Sequence, residues 1–447
     1  MRITMPRWHA DECQEPDVVL EGDYPRCRAC GHAASLDWIL AQQVPASAAS
    51  SIPPDKTSLP LNLSWPPQVP WSVPEEGSDA SAGPDANEPN GIHFTKEQPV
   101  DASYAQTYGE RLDSDEIRLL CLHATETSDK VVHVELEAYK HSECPEYETV
   151  SYAWGGEDGD ARLSEPVYVG PYWDVLLQTR NCAALLRYLR PARGLRMVWI
   201  DALCINQGDT AERESQVARM GDIYRQCTRV VVWLGADIVT PTAPKSFQPR
   251  FPFREIQAHI PEKGYVGRLF RRRYFSRMWV IQELVLAPSS VIPLLDADFL
   301  AGAWTTGDMA SVSETEYWQT LKRSWMSQMH SVTKFPGETL DDVLRYTWNT
   351  SMQATDPRDR IFGVLGLHQP TSLARLMPDY SLSFQSLVIG ITVHLLAVDG
   401  SFEVLCNAVG LGAKPAYPSW TIRLEQGLVE FRYPKDFWSG CELHHHM

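Results

Sequence analysis

Apolar positions along this chain follow two rhythms. Ile117-Arg-Leu-Leu-Cys-Leu and Val131-Val-His-Val-Glu-Leu alternate with polar residues, which predicts a pair of strands. Further on, short apolar runs alternate with helical stripes. Glu148 to Ala153 reads as a strand, and Asn181-Cys-Ala-Ala-Leu-Leu-Arg-Tyr-Leu predicts a helix over 182–189. Met197 to Ile205 is a near-continuous apolar run broken by Asp201, the pattern of a buried parallel strand. Asp209 and Glu212 resemble a capping box with Asp in place of Ser or Thr. Val217, Met220, Tyr224 and Cys227 follow at helical spacing. Val230-Val-Val-Trp-Leu-Gly reads as another buried strand, and Ser276 is placed to cap a helix running to Ala287. Such alternation with short turns implies an α/β fold, a parallel sheet covered by helices on both faces.

The remainder divides by composition. Residues 1–44 carry Cys27-Arg-Ala-Cys30, with Cys13, His9 and His32 nearby. The CxxC spacing is that of a zinc knuckle. Cys13, Cys27, Cys30 and His32 form the candidate ligand set, with His9 as an alternative fourth ligand and free thiols as the simpler reading. Residues 45–110 are dense in Pro, Ser, Ala and acidic side chains and are expected to be a disordered linker. The core domain is expected over 115–290, with 236–270 as a Pro- and aromatic-rich insertion. A mainly helical region is expected over 291–447, with helices at Leu340 to Asn349, Ile361 to Leu367 and Phe384 to Val398.

Charge narrows the functions available. The 447 residues hold 40 basic against 57 acidic side chains, a net charge of −17. That argues against a nucleic-acid binder working through phosphates and against docking on an anionic membrane. Ten scattered cysteines are too few for a disulfide scaffold. The first residues lack the apolar segment of a signal peptide, and the longest apolar run, Leu387 to Val398, is too short to span a bilayer. The expected location is cytoplasmic.

Three blocks place polar residues at the ends of apolar segments: 147–155, 198–207 and 277–284. In open α/β sheets, ligands bind just outside the carboxyl ends of the strands. Glu283 lies in Met278-Trp-Val-Ile-Gln-Glu-Leu-Val-Leu-Ala287, so its carboxylate must be paired, neutralised or open to a cleft. Arg271, Arg272, Arg273 and Arg277 are the candidate partners. Trp279, four residues earlier, is expected on the same helix face. Asp201 is expected either to contact a ligand or to form a turn. Ser151, Trp154 and Gly155 end the first strand, where Gly155 and Gly156 allow close backbone approach. Cys204 has no histidine within 142–255 to activate it. Thr355-Asp-Pro-Arg358-Asp-Arg360 reads as a salt-bridged interdomain joint, and His444 to His446 either as a fortuitous metal binder or as an incidental tail.

These blocks resemble the fungal heterokaryon incompatibility (HET) domain. The carrying motifs are Tyr147-x-x-x-Ser-Tyr-x-Trp-Gly155, Trp199-Ile-Asp-Ala-Leu-Cys-Ile-Asn-Gln207 with Glu212-Arg, Gln216-Val, Met220 and Ile223-Tyr, and Arg277-x-Trp-x-x-Gln-Glu283. They span about 140 residues in a fixed order. The resemblance implies non-self recognition and regulated cell death after incompatible hyphae fuse, with self-association and other incompatibility or signalling proteins as partners.

A more distant resemblance is to TIR domains, with their flavodoxin-like sheet. Tyr147 to Tyr152 matches the first TIR strand, Gly155-Gly-Glu-Asp-Gly-Asp160 its acidic loop, and Ser276-Arg-Met-Trp279-Val-Ile-Gln-Glu283 its Ser, Trp and Glu helix. Val280 stands where TIR domains often have Cys, and the insertion before this helix is long. The resemblance implies NAD as a substrate, Glu283 as the catalytic carboxylate, and a pocket shaped by Ser151, Trp154, Gly155, Asp201 and Trp279. The alternative is a non-enzymatic module that signals by oligomerising.

Overall fold

The computed structural model describes residues 7–41, 52–55, 107–124, 131–240, 250–260, 262, 264–302, 340–341, 343–344, 352–367, 376–408 and 417–422. The linker expected over 45–110 lies almost wholly outside them, as do residues 345–349 of the first C-terminal helix expected and the histidine tail at 444–446.

Among the described residues two sheets are present. The smaller pairs β1 (Val18–Glu21) with β2 (Tyr24–Cys27). The larger has ten strands: β3 (Glu116–His123), β4 (Val132–Lys140), β5 (Glu148–Tyr152), β6 (Leu163–Val169), β7 (Asp174–Thr179), β8 (Leu195–Trp199), β9 (Val230–Trp233), β10 (Arg250–Pro252), β11 (Ser290–Leu294) and β12 (Ala297–Ala301). Their spatial order is β10-β12-β11-β9-β5-β8-β3-β4-β6-β7. At its centre β8, β5, β9 and β11 run parallel. In chain order these four are the second, first, third and fourth parallel strands. The chain therefore leaves β5 first toward β8 and then crosses back toward β9. Right-handed crossovers in opposite directions put their helices on opposite faces.

Side-chain alternation along β5 agrees with this. Every residue of β5 is buried, as expected of a strand covered on both sides. Thr149 donates to Cys227 Sγ and Ser151 to Glu283 on one face. Tyr152, one step on, faces Cys182 on the other. The helix Arg180–Leu189 is capped by Thr179, whose side chain accepts from the Cys182 amide, and it buries Cys182, Leu185, Leu186 and Leu189. The helix Thr210–Gln226 is capped by Asp209, which accepts from the Ala211 and Glu212 amides. Its Glu212 does not complete the capping box. That carboxylate turns inward to Arg118 of β3 at 2.8 Å and accepts the Asn206 amide. A charged pair this buried needs these additional hydrogen bonds.

The sheet is mixed. Antiparallel β3–β4 extends one side, as the alternating pattern predicted. Past them, β4–β6 is parallel and β6–β7 antiparallel. On the other side β11–β12 forms a hairpin at 290–301, so strands continue past 290 where a helical region was expected. The segment 236–270 is more than an insertion, because its β10 joins the sheet edge beside β12. The run 197–205 is a strand only to Trp199, and Asp201–Cys204 turns into a short helix.

The C-terminal residues described include helices Asp359–Leu365 and Phe384–Ala397. The first clips onto the sheet domain. Gln353 exchanges backbone hydrogen bonds with Ser276 and Met278, and Gly366 packs closely on Gly221 while its amide donates to Gln282. Arg358 is buried, holding Asp356 and the carbonyls of Tyr380 and Leu382, all within the C-terminal residues. Among the described residues no helix is long and apolar enough to cross a membrane.

Candidate functional site at the carboxyl ends of the central strands

Ser151 at the end of β5 donates to Glu283 and also contacts the Tyr274 hydroxyl. Glu283 comes from the helix Val280–Val285 and is only 3% exposed. Its second oxygen lies 3.6 Å from Arg277 Nη2. Of the four candidate arginines, Arg277 is the partner, because Arg272 holds Asp237 and the Leu234 carbonyl, Arg273 packs against Gly159, and Arg271 is exposed. Asp201, just past β8, accepts from the Trp154 indole at 3.0 Å and caps the Ala202 amide. The structure thus brings Ser151, Trp154, Asp201 and Glu283 to one end of the sheet, with Arg277 beside Glu283 and near enough to act electrostatically on both carboxylates.

This cluster is electrostatically tense. Burial pushes the Glu283 carboxyl above its usual range, against the pull of Arg277 and of the Ser151 hydrogen bond. Burial likewise raises Asp201, opposed by Arg277 and Trp154. One guanidinium serves two carboxylates, and its buried Nη1 has no hydrogen-bond partner among the described residues. Perturbed acids at such a position mark a functional candidate, although structural ion pairs produce the same signature.

Three of the predicted residues do something else. A Cβ on Gly155 would meet the Gly159 carbonyl carbon at 2.7 Å. Its small size is already required by its own loop folding back. Trp279 packs its ring on Gly363 and bonds to Asp359, so it faces the C-terminal helix rather than Glu283's partners. Ser276 does not cap the helix. Its hydroxyl donates to the Arg273 carbonyl, while its own carbonyl is taken by Gln353.

Burial pushes Asp359 up to about 6. The ordinary Asp value is about 3.9, so its folded pKa is raised. Its contribution to stability is full below the unfolded pKa and is lost as pH rises through the folded one. Asp359→Asn is expected to make the fall in stability between pH 4 and 7 shallower than in wild type. Urea unfolding at several pH values tests this, and equal pH slopes would refute it.

Sequence reasoning did not find Tyr274, Tyr224 or Asn181. Tyr224 donates to the Val150 carbonyl, and Asn181 bridges the Ala153 carbonyl and the Trp233 indole, joining the ends of β5 and β9. Aromatic residues in apolar stripes carry no signal that separates such a role from packing. An apolar groove lies elsewhere, between Phe362, Leu365, Leu382, Leu387 and Ile391.

A second cluster lies in the N-terminal segment. His9, Cys13, Cys27 and Cys30 have their ligand atoms within 4.8 Å of one another. His9, not His32, stands with the three cysteines. His32 is exposed and turns its Nδ1 toward the Trp8 carbonyl.

The chain matches the heterokaryon incompatibility protein (HET) family over residues 147–283. It is similar to heterokaryon incompatibility protein 6, OR allele, of Neurospora crassa, at 26% identity over 344 residues, covering 60% of this chain and 50% of that protein. The chain thus spans about half the length of the curated relative it matches. No solved structure matches it. The matched residues run from just before β5 to Glu283 and hold the whole strand-end cluster, so this part of the chain is a heterokaryon incompatibility (HET) domain.

Proposed function

We propose that the protein acts in non-self recognition and that its HET domain is a TIR-like unit that cleaves NAD at the Glu283 cluster. The carrying observation is the meeting of two carboxylates of raised pKa, Asp201 and Glu283, around Arg277 at the carboxyl ends of β5 and β8. The central strand order, second-first-third-fourth, is that of the flavodoxin-like class, in which ligands bind where the chain reverses direction. Loss of nicotinamide leaves an oxocarbenium-like ribose, which an adjacent carboxylate stabilises electrostatically. Glu283 would supply that charge, with Arg277 opposing the burial that favours its neutral form. Asp201 and Trp154 would contact the ribose from the partly exposed rim. Glu283 is only 3% exposed, so substrate entry would require the side chains around it to move.

A second reading rests on that closure. With 3% exposure, a hydroxyl donor and a cationic partner, Glu283 also has the environment of a paired structural group. The domain would then signal by assembly alone.

Nicotinamide release from NAD by the full chain separates the two. Wild type is expected to turn over, more so when concentrated, and Glu283→Gln to lose at least about 100-fold with its fold intact. Absence of turnover by wild type, even artificially clustered, would leave the assembly reading.

A further inference from the structure

We propose that His9, Cys13, Cys27 and Cys30 bind one structural Zn2+ ion, which clamps the N-terminal segment onto the β6–β7 edge of the large sheet. The spacing of the ligand atoms carries this. Cys13 Sγ lies 3.9 Å from Cys27 Sγ and 3.8 Å from His9 Nδ1, and Cys30 Sγ lies 3.7 Å from His9 Nδ1. A tetrahedron with Zn–S bonds of about 2.3 Å has edges of about 3.8 Å. A disulfide would need about 2.05 Å between sulfurs, and all three thiols are free.

The surroundings favour a metal over a chance gathering of thiols. The other nitrogen of His9, Nε2, lies 2.8 Å from the Tyr172 carbonyl. Donating its proton there leaves the Nδ1 lone pair directed at the cysteines, the tautomer control typical of metal-bound histidine. The ligands come as two pairs, His9 with Cys13 before β1 and Cys27 with Cys30 from the end of β2 onward. An ion would therefore tie both ends of a hairpin whose strands are four residues each. Such a hairpin is marginal alone, and small modules are commonly stapled by metal.

The clamp has a defined target. Arg7 makes a bidentate pair with Asp174, both contacts at 3.0 Å, and its guanidinium stacks 3.8 Å from the Tyr172 ring centre. Trp8 donates to the Trp173 carbonyl at 2.8 Å. Trp8, Ile39, Tyr168 and Leu177 share one apolar cluster, separate from the main core. His9 belongs at once to the metal set and to this seam. Binding displaces three thiol protons, and the three thiolates, neutral imidazole and Zn2+ sum to −1.

The test is metal analysis of the full chain purified without chelator, followed by Co2+ exchange. One zinc per chain is expected, with the thiolate charge-transfer band of a tetrahedral Cys3His cobalt site. His9→Ala and Cys27→Ser should lose the ion, and His32→Ala should keep it. Metal content far below one per chain, with no cobalt band, would overturn the proposal. So would loss in His32→Ala with retention in His9→Ala. Should the variants fail to fold, a mercurial titration of wild type decides: release of one zinc as the thiols react supports the site, and complete reaction of the thiols without zinc release refutes it.

Discussion

Replacing Arg118 by alanine is expected to destabilise the domain by about 3–5 kcal/mol, the range for breaking a buried ion pair by removing one partner. Arg118 and Glu212 have side-chain exposures of 2% and 1%, and they tie β3 to the helix Thr210–Gln226. Arg118 also donates to the Cys204 carbonyl at 2.9 Å. Alanine would leave Glu212 charged in the core, held by the Asn206 amide alone of its two partners, and the Cys204 carbonyl without its guanidinium. The double variant Arg118→Met with Glu212→Leu removes the stranded charge and is expected to recover part of the loss. It cannot recover all of it, since the Asn206 amide loses its acceptor. Urea unfolding followed by tryptophan fluorescence measures both. A loss under about 1 kcal/mol for Arg118→Ala, the value of a surface pair, would contradict the assignment.

Arg277→Ala is expected to cost a similar amount, but with a pH dependence that Arg118→Ala lacks. Glu283 and Asp201 both have folded pKa values raised by burial, and Arg277 is the strongest influence pulling each back. Without it both rise further. A raised acid gives its full stabilising contribution below its unfolded pKa and loses it as pH climbs through the folded one. The deficit of Arg277→Ala relative to wild type should therefore be smallest near pH 4 and grow toward pH 8. Unfolding midpoints for both proteins at pH 4, 6 and 8 give the comparison. A deficit independent of pH would mean that Arg277 acts by packing rather than by holding the two carboxylates.

The parallel core was legible because its strands are covered on both faces. Val230 to Trp233 and the residues before Asp201 read as apolar runs for that reason. Asp209 was readable as a cap because short acidic side chains satisfy free helix amides. The hairpin β6–β7 was not read. Pro166, Gly170 and Trp173, the last at φ 50, interrupt its pattern, and its outer face is covered by a segment more than 100 residues earlier in the chain. At the site, the sequence narrowed the partner of Glu283 to four arginines. Choosing among them required knowing that the bridge to Gln353 takes the backbone on either side of Arg277 and so orients its side chain. The expectation that Trp279 shares a pocket with Glu283 failed for the same kind of reason. Helical spacing gives a shared face, but the C-terminal helix supplies a nearer partner in Asp359.

That late bridge also sets an order of events during synthesis. The helix bearing Glu283 is pinned by Gln353 and by Gly366 through Gln282. At translation rates of about 5–20 residues per second, the roughly 80 residues separating Glu283 from Gly366 take about 4–16 s to emerge. Throughout that interval a nascent chain already holds every family-matched residue, yet Met278, Trp279 and Gln282 still lack their later partners. Full support of the helix bearing Glu283 thus comes only after Gly366 has emerged, and a ribosome stalled before residue 352 would leave a recognisable but unfinished molecule.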